Sequence, residues 1–177
     1  MPVYLFTVHA YRSWSEGNAN GFIQHGDGLQ APNPALAEWR DDHASHEPAR
    51  FDLADQDILH EILQVICKEK SCKLHAGATT LTHVHGLVSF TAPLCDCKGA
   101  EWCRRDCAVR ICVEKCIIRL KQKMGQAMAK KHETNGRPYF SRGWDLTPIR
   151  RMPHFQYHIQ TYLPKHDKEG GIFRRYK

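Results

Sequence analysis

The sequence predicts an α+β fold: a ferredoxin-like, four-stranded antiparallel sheet backed by helices, with an extra C-terminal helix that carries a tyrosine. Three observations lead there. The apolar patterns run strand, helix, strand, strand, helix, strand, helix; the first six form the βαββαβ series of the ferredoxin-like plan; and 177 residues suffice for one well-packed core but are short for two. Residues 1–177 are therefore expected to be a single domain.

Val3 to Val8 is a short run with β-branched and aromatic members, suited to a buried first strand. Residues 13–52 carry seven Gly and Pro among scattered Asn and Asp and are expected to be a long loop without a regular element. Ile58, Leu59, Ile62, Leu63 and Ile66 recur at helical spacing, with Asp55 or Asp57 able to cap the helix. Lys73 to Thr79 and Thr82 to Phe90 read as two adjacent antiparallel strands. A Cys-rich insertion at about 91–107 follows, and then Val109, Val113, Ile117, Leu120, Met124 and Met128 trace one face of a helix ending near Lys131. Gly136 and Pro138 break it, Tyr139 to Trp144 can form a strand, and Met152, Phe155, Ile159 and Leu163 mark the last helix.

Composition narrows the function. The net charge of +6 conceals an asymmetry: residues 1–90 hold 6 basic and 11 acidic side chains, net −5, whereas residues 91–177 hold 19 and 8, net +11. A positive half points to a polyanion such as nucleic acid, although a solvated basic face gives the same count. Arg119, Lys121, Lys123, Lys130, Lys131, Arg150 and Arg151 are the expected phosphate contacts. Tyr139, Phe140 and Trp144 interleave with that charge and could stack on bases or join the core. No apolar run approaches the ~18 residues of a membrane span and no leader is evident, so a chain that neither crosses a membrane nor is secreted is expected. With that comes a cytoplasmic location, nucleoid-associated in a prokaryote.

Eight cysteines in such a chain read as reduced thiols or metal ligands. Cys95, Cys97, Cys103 and Cys107 could hold a structural Zn²⁺, while Cys112 and Cys116 sit one helical turn apart. The sharpest feature is His83-Val84-His85 in the strand THVHGLVSF. Alternation puts both imidazoles on one face, which is half of a divalent-metal site or else a hydrogen-bonded surface pair. His158, Tyr162 and His166 are spaced four apart and would share a helix face, but Pro164 interrupts that helix. A phenol beside imidazoles suits metal-assisted nucleophilic attack.

The paired histidines, the N-terminal YLFTVHAYRSWSEGNANGF, the helix preceding the pair and the downstream YLPKH together resemble single-tyrosine HUH transposases, in particular those associated with repetitive extragenic palindromes. The resemblance covers most of the chain and is weakest in the Cys-rich segment. It implies an HUH endonuclease-type sheet, with His83 and His85 as ligands of Mg²⁺ or Mn²⁺ and Tyr162 as nucleophile. It also implies His166 as third ligand, where many relatives have Gln. The reaction implied is nicking and transfer of single-stranded DNA, folded as a hairpin, through a 5′-phosphotyrosine. Tyr157, on another face of a regular helix, is the rival nucleophile, and Tyr176 beside the C-terminus is expected to be mobile. A homodimer is a candidate assembly. Rolling-circle replication initiators share the H-x-H strand and a Y-x-x-K, here Tyr162 to Lys165, but the long first loop and the basic helix fit the transposase better. The alternative from another class is a non-catalytic, zinc-stabilised nucleic-acid-binding protein.

Overall fold

The computed structural model describes residues 2–13, 15–24, 28–90 and 107–176. In chain order these form β1 (Val3–His9), β2 (Phe22–Gln24), β3 (Gly28–Gln30), α1 (Pro34–Asp42), α2 (Leu53–Glu69), β4 (Cys72–Thr79), β5 (His83–Phe90), α3 (Ala108–Lys131), β6 (Asp145–Ile149) and α4 (Met152–Tyr157). A π turn (His158–Tyr162), a 3₁₀ helix (Leu163–Glu169) and β7 (Ile172–Arg175) complete it. Of the expected zinc ligands, Cys95, Cys97 and Cys103 lie outside the described residues. Cys107 is buried at the start of α3. No helix among the described residues is long and apolar enough to cross a membrane.

Strand alternation sorts the core into two. Tyr4, Phe6 and Val8 of β1 and Val84, Val88 and Phe90 of β5 point to the face covered by α2 and α3, whose Leu59, Leu63, Ile66, Val113, Ile117, Leu120, Met124 and Met128 are buried against them. The other residues of the same strands, Leu5 and Leu87, join Ala76, Ala78, Ile149 and Leu163 in a smaller core on the opposite face. The segment from α4 through the 3₁₀ helix closes that second face, and it is the segment that carries Tyr162 and His166.

Helix α2 begins one turn before the acidic residues expected to cap it. Asp52 is the cap: its Oδ1 accepts from the Asp55 N–H at 2.6 Å, and Asp55 accepts in return from the Asp52 N–H. The buried Asp55 carboxylate also accepts from Lys131 Nζ at 2.7 Å and His132 Nε2 at 2.8 Å, which ties the start of α2 to the end of α3.

The sheet has five strands, all antiparallel, in the order β6-β1-β5-β4-β7, rather than the four expected. The fourth strand is also displaced. Tyr139 to Trp144 contributes a single bridge, Ala10 to Phe140, and Asp145–Ile149 is the strand. That strand contains Pro148, which is tolerated because β6 is an edge strand and needs no N–H there. Tyr139 is buried and Phe140 and Trp144 pack against the larger core, so these aromatics serve the fold.

The fifth strand replaces the expected helical end. Gly170 takes a left-handed φ of 75°, and at Gly171 a Cβ would lie 2.0 Å from the Thr79 carbonyl oxygen, so the Gly-Gly pair lets the chain turn tightly against β4. His60 then fixes the strand: its Nε2–H donates to the Ile172 carbonyl at 3.1 Å, leaving Nδ1 to accept from the Tyr176 hydroxyl at 2.6 Å. Tyr176, expected to be mobile, is thereby held, and its N–H donates to the His75 carbonyl. The expected loop at 13–52 likewise contains structure, the β2–β3 hairpin and α1. Asn33 and Pro34, within that expected loop, are the N-cap and first residue of α1, with Asn33 Oδ1 accepting from the Leu36 N–H.

Candidate metal centre

His83 and His85 stand on the face of β5 shared with Leu87, and the 3₁₀ helix brings His166 onto them from above. The ring centroids of His85 and His166 are 4.7 Å apart and nearly parallel, and His83 lies 4.7 Å from His85 and 5.4 Å from His166. One nitrogen of each ring lies within 4.8 Å of the others. Among the described residues this is the one group of three or more metal-ligating side chains so placed.

Each Nδ1 is engaged from outside the cluster. Thr7, directly opposite His85 on β1, places Oγ1 2.8 Å from His85 Nδ1. Thr80 and Thr82 each place Oγ1 3.1 Å from His83 Nδ1, and Glu169 Oε2 lies 2.9 Å from His166 Nδ1. The Nε2 atoms of His85 and His166 are buried with no hydrogen-bond partner. Buried polar atoms without a partner are costly and call for an explanation. Imidazoles held through one nitrogen and unsatisfied at the other are the arrangement of metal ligands with supporting outer partners, so the residues present fit a divalent ion.

Protonation favours the same state. Burial, helped by the neighbouring His166 and His9, holds His83 down at about 4. Burial, then His83 and His166, holds His85 well below the ordinary histidine value. Both rings are thus neutral at pH 7, the form that ligates metals.

Tyr162 completes the cluster, its ring 5.5 Å from both His85 and His166. It is half-buried, and burial, with neighbouring Tyr157, Glu169 and Asp145 in support, pushes its phenol up. Lys165 Nζ lies 4.7 Å over the ring. Tyr162, the three histidines, Lys165 and Asp145 line a cleft of about 430 Å³.

The helix geometry explains this placement. Pro164 offers no N–H to the Gln160 carbonyl, and the chain closes instead through the Leu163 N–H to the His158 carbonyl five residues back. That wide turn also brings Tyr157 to 6.4 Å from Tyr162, where a regular helix would separate their faces. Tyr157 is the more exposed of the two. His158, also four residues from Tyr162, stays outside the triad. Its Nε2 is 2.8 Å from His154 Nε2, and burial, with His154 in support, holds it at about 4.

Four residues around the cluster carried no sequence signal of their own: Thr7, His9, Asp145 and Glu169. His9 pairs in register with His83 and bonds Asp145 Oδ2 at 2.9 Å. Strand pairing could have indicated Thr7 and His9, but it is invisible until β1 is known to lie beside β5.

The expected phosphate contacts divide. Arg119, Lys121, Lys123, Lys130 and Lys131 belong to α3, on the far face of the sheet, and none lines the cleft. Lys121 Nζ donates to the Ser141 and Gly143 carbonyls at 2.6 and 2.8 Å, and Lys131 is bound to Asp52 and Asp55. Arg150 and Arg151 are exposed where β6 turns into α4, at the head of the segment that carries Tyr162. Cys112 is exposed on α3, while Cys116 is buried with its Sγ 4.0 Å from that of Cys72.

No family model and no curated protein matches the chain. Among solved structures it has a distant likeness to a REP-associated tyrosine transposase bound to a REP hairpin. The TM-score is 0.48 at 9% identity, over 96% of this chain and 69% of that one.

Proposed function

We propose that this protein is a metal-dependent enzyme that nicks single-stranded DNA and rejoins it to another end through Tyr162, acting as a transposase of hairpin or palindromic elements. The observation that carries the reading is the convergence of three imidazoles, two with a buried unsatisfied Nε2, beside a half-buried phenol in one cleft. His83, His85 and His166 would hold Mg²⁺ or Mn²⁺, which when bound supplies Lewis-acid polarisation of a phosphate oxygen.

The chain's own residues supply the remaining steps. Tyr162 Oη attacks phosphorus as its O–H bond breaks, a P–O bond forms to the tyrosine, and the bond to the 3′ oxygen breaks. The phenol proton is balanced by protonation of the departing 3′ oxygen, and no water is consumed. The downstream fragment stays on Tyr162 through its 5′ phosphate, and attack by another 3′-OH reverses the step. Lys165, over the tyrosine ring, is placed to offset developing negative charge. Arg150 and Arg151, exposed at the head of the segment that carries Tyr162, would hold phosphates of the bound strand, and the hairpin is what the sequence resemblance implies as partner.

The test uses oligonucleotides bearing a hairpin next to a single-stranded flank, with Mn²⁺. The upstream fragment should be released with a 3′-OH that a polymerase extends, and the downstream fragment should become protein-bound. Release of a 5′-phosphorylated downstream fragment free of protein would indicate hydrolysis and overturn the reading.

A further inference from the structure

The four outer partners of the triad differ chemically. A threonine hydroxyl donates or accepts, so Thr7, Thr80 and Thr82 can satisfy either tautomer of His85 and His83. An ionised carboxylate only accepts. Glu169 Oε2, 2.9 Å from His166 Nδ1, therefore requires a proton on Nδ1, which in the neutral ring leaves Nε2 as a bare lone pair. That Nε2 is the buried atom without a partner, on a side chain 3% exposed.

We propose that Glu169 is the positioning residue of the metal centre: it presets His166 as the Nδ1–H tautomer, aims its Nε2 lone pair into the cluster, and supplies, among the described residues, the one carboxylate hydrogen-bonded to the triad. This rests on the reading that His83, His85 and His166 hold a divalent ion, and not on the role of Tyr162.

Chain geometry fixes Glu169 for the task. It sits three residues after His166 in the 3₁₀ helix, where residues i and i+3 eclipse. The helix ends directly after it, at the left-handed Gly170, where the Gly171 N–H donates to the His166 carbonyl at 2.9 Å. β7 then anchors the turn to β4. Ligand, carboxylate and turn are consequently one short unit pinned at its C-terminal side. His83 and His85 adapt their tautomers when an ion arrives, whereas His166 is set in advance.

The experiment is Mn²⁺ titration by calorimetry together with long-range ¹H–¹⁵N correlation of the histidine rings in the metal-free protein. Wild type should show His166 with Nδ1 protonated. Glu169→Ala should lose that fixed tautomer and bind Mn²⁺ about 10- to 100-fold more weakly, the usual cost of removing an outer partner. Glu169→Gln, whose amide oxygen still accepts from Nδ1, should keep the tautomer and lose less affinity. An Nε2–H tautomer in wild type, or unchanged affinity in Glu169→Ala, would overturn the assignment. If wild type itself binds no Mn²⁺ at the triad, the metal reading falls first and Glu169 with it.

Discussion

Leu163 lies between Tyr162 and the 3₁₀ turn that bears His166, fully buried among Leu5, Ala76, Ala78, Leu87 and Ile149. Leu163→Ala removes the fully buried apolar side chain with which that segment packs on the sheet. Two of its neighbours are alanines, too short to collapse into the space, so the cost should fall at about 3–4 kcal/mol within the usual range for such truncations. For a chain of this size that corresponds to a melting temperature lower by about 6–16 °C. The cavity also frees the turn to shift, and a metal site tolerates ligand displacements of only about 0.2 Å. Mn²⁺ affinity should therefore fall by about tenfold or more, measured by titration below the melting transition. Saturating Mn²⁺ should in turn raise the variant's melting temperature by linkage. A loss of stability below about 1 kcal/mol, or full destabilisation with unchanged Mn²⁺ affinity, would refute the claim that this contact positions the site.

Stability of the metal-free protein should decline as pH falls from about 6.5 towards 4. His83 and His158 are held at about 4 in the fold and His85 is held low as well, against an ordinary 6.5, so the unfolded chain takes up protons first. Melts at pH 7.5, 6, 5 and 4.5 check this, and a flat profile would contradict it. Gly86→Ala should be strongly destabilising, because its Cβ would lie 2.3 Å from the buried Phe6 ring; a melting temperature within 2 °C of wild type, roughly 1 kcal/mol, would count against the β1–β5 packing described. Arg150→Ala/Arg151→Ala should weaken single-stranded DNA binding and reduce its salt dependence more than Arg119→Ala/Lys123→Ala, since only the first pair heads the segment bearing Tyr162. Fluorescence anisotropy at several salt concentrations distinguishes the two.

What the sequence disclosed follows from the range of the forces involved. His83 and His85 were legible because period-two alternation within one strand is local, and α2 and α3 because their apolar stripes span several turns. The spacing of Tyr162 and His166 was legible too, but not the wide turn between Tyr157 and Leu163. Pro164 announces that the helix must change without saying how. Strand β6 was expected a few residues earlier, at Tyr139 to Trp144; the strand that forms contains Pro148, whose tolerance depends on lying at a sheet edge, a property of the assembled sheet. Strand β7 was hidden because four residues after Gly-Gly resemble a tail until His60, far away in sequence, holds Tyr176 and Ile172. Thr7 came to light only with the register of β1 against β5, and Glu169 only with the tight turn after His166.

In the proposed reaction Tyr162 attacks DNA beside a three-histidine metal centre. Its most direct test is mass spectrometry of the protein after incubation with Mn²⁺ and a hairpin oligonucleotide carrying a single-stranded flank. A covalent nucleotide adduct is expected on the peptide containing Tyr162, absent in Tyr162→Phe and on addition of a chelator. An adduct that persists in Tyr162→Phe, or one mapped to Tyr157, would contradict it.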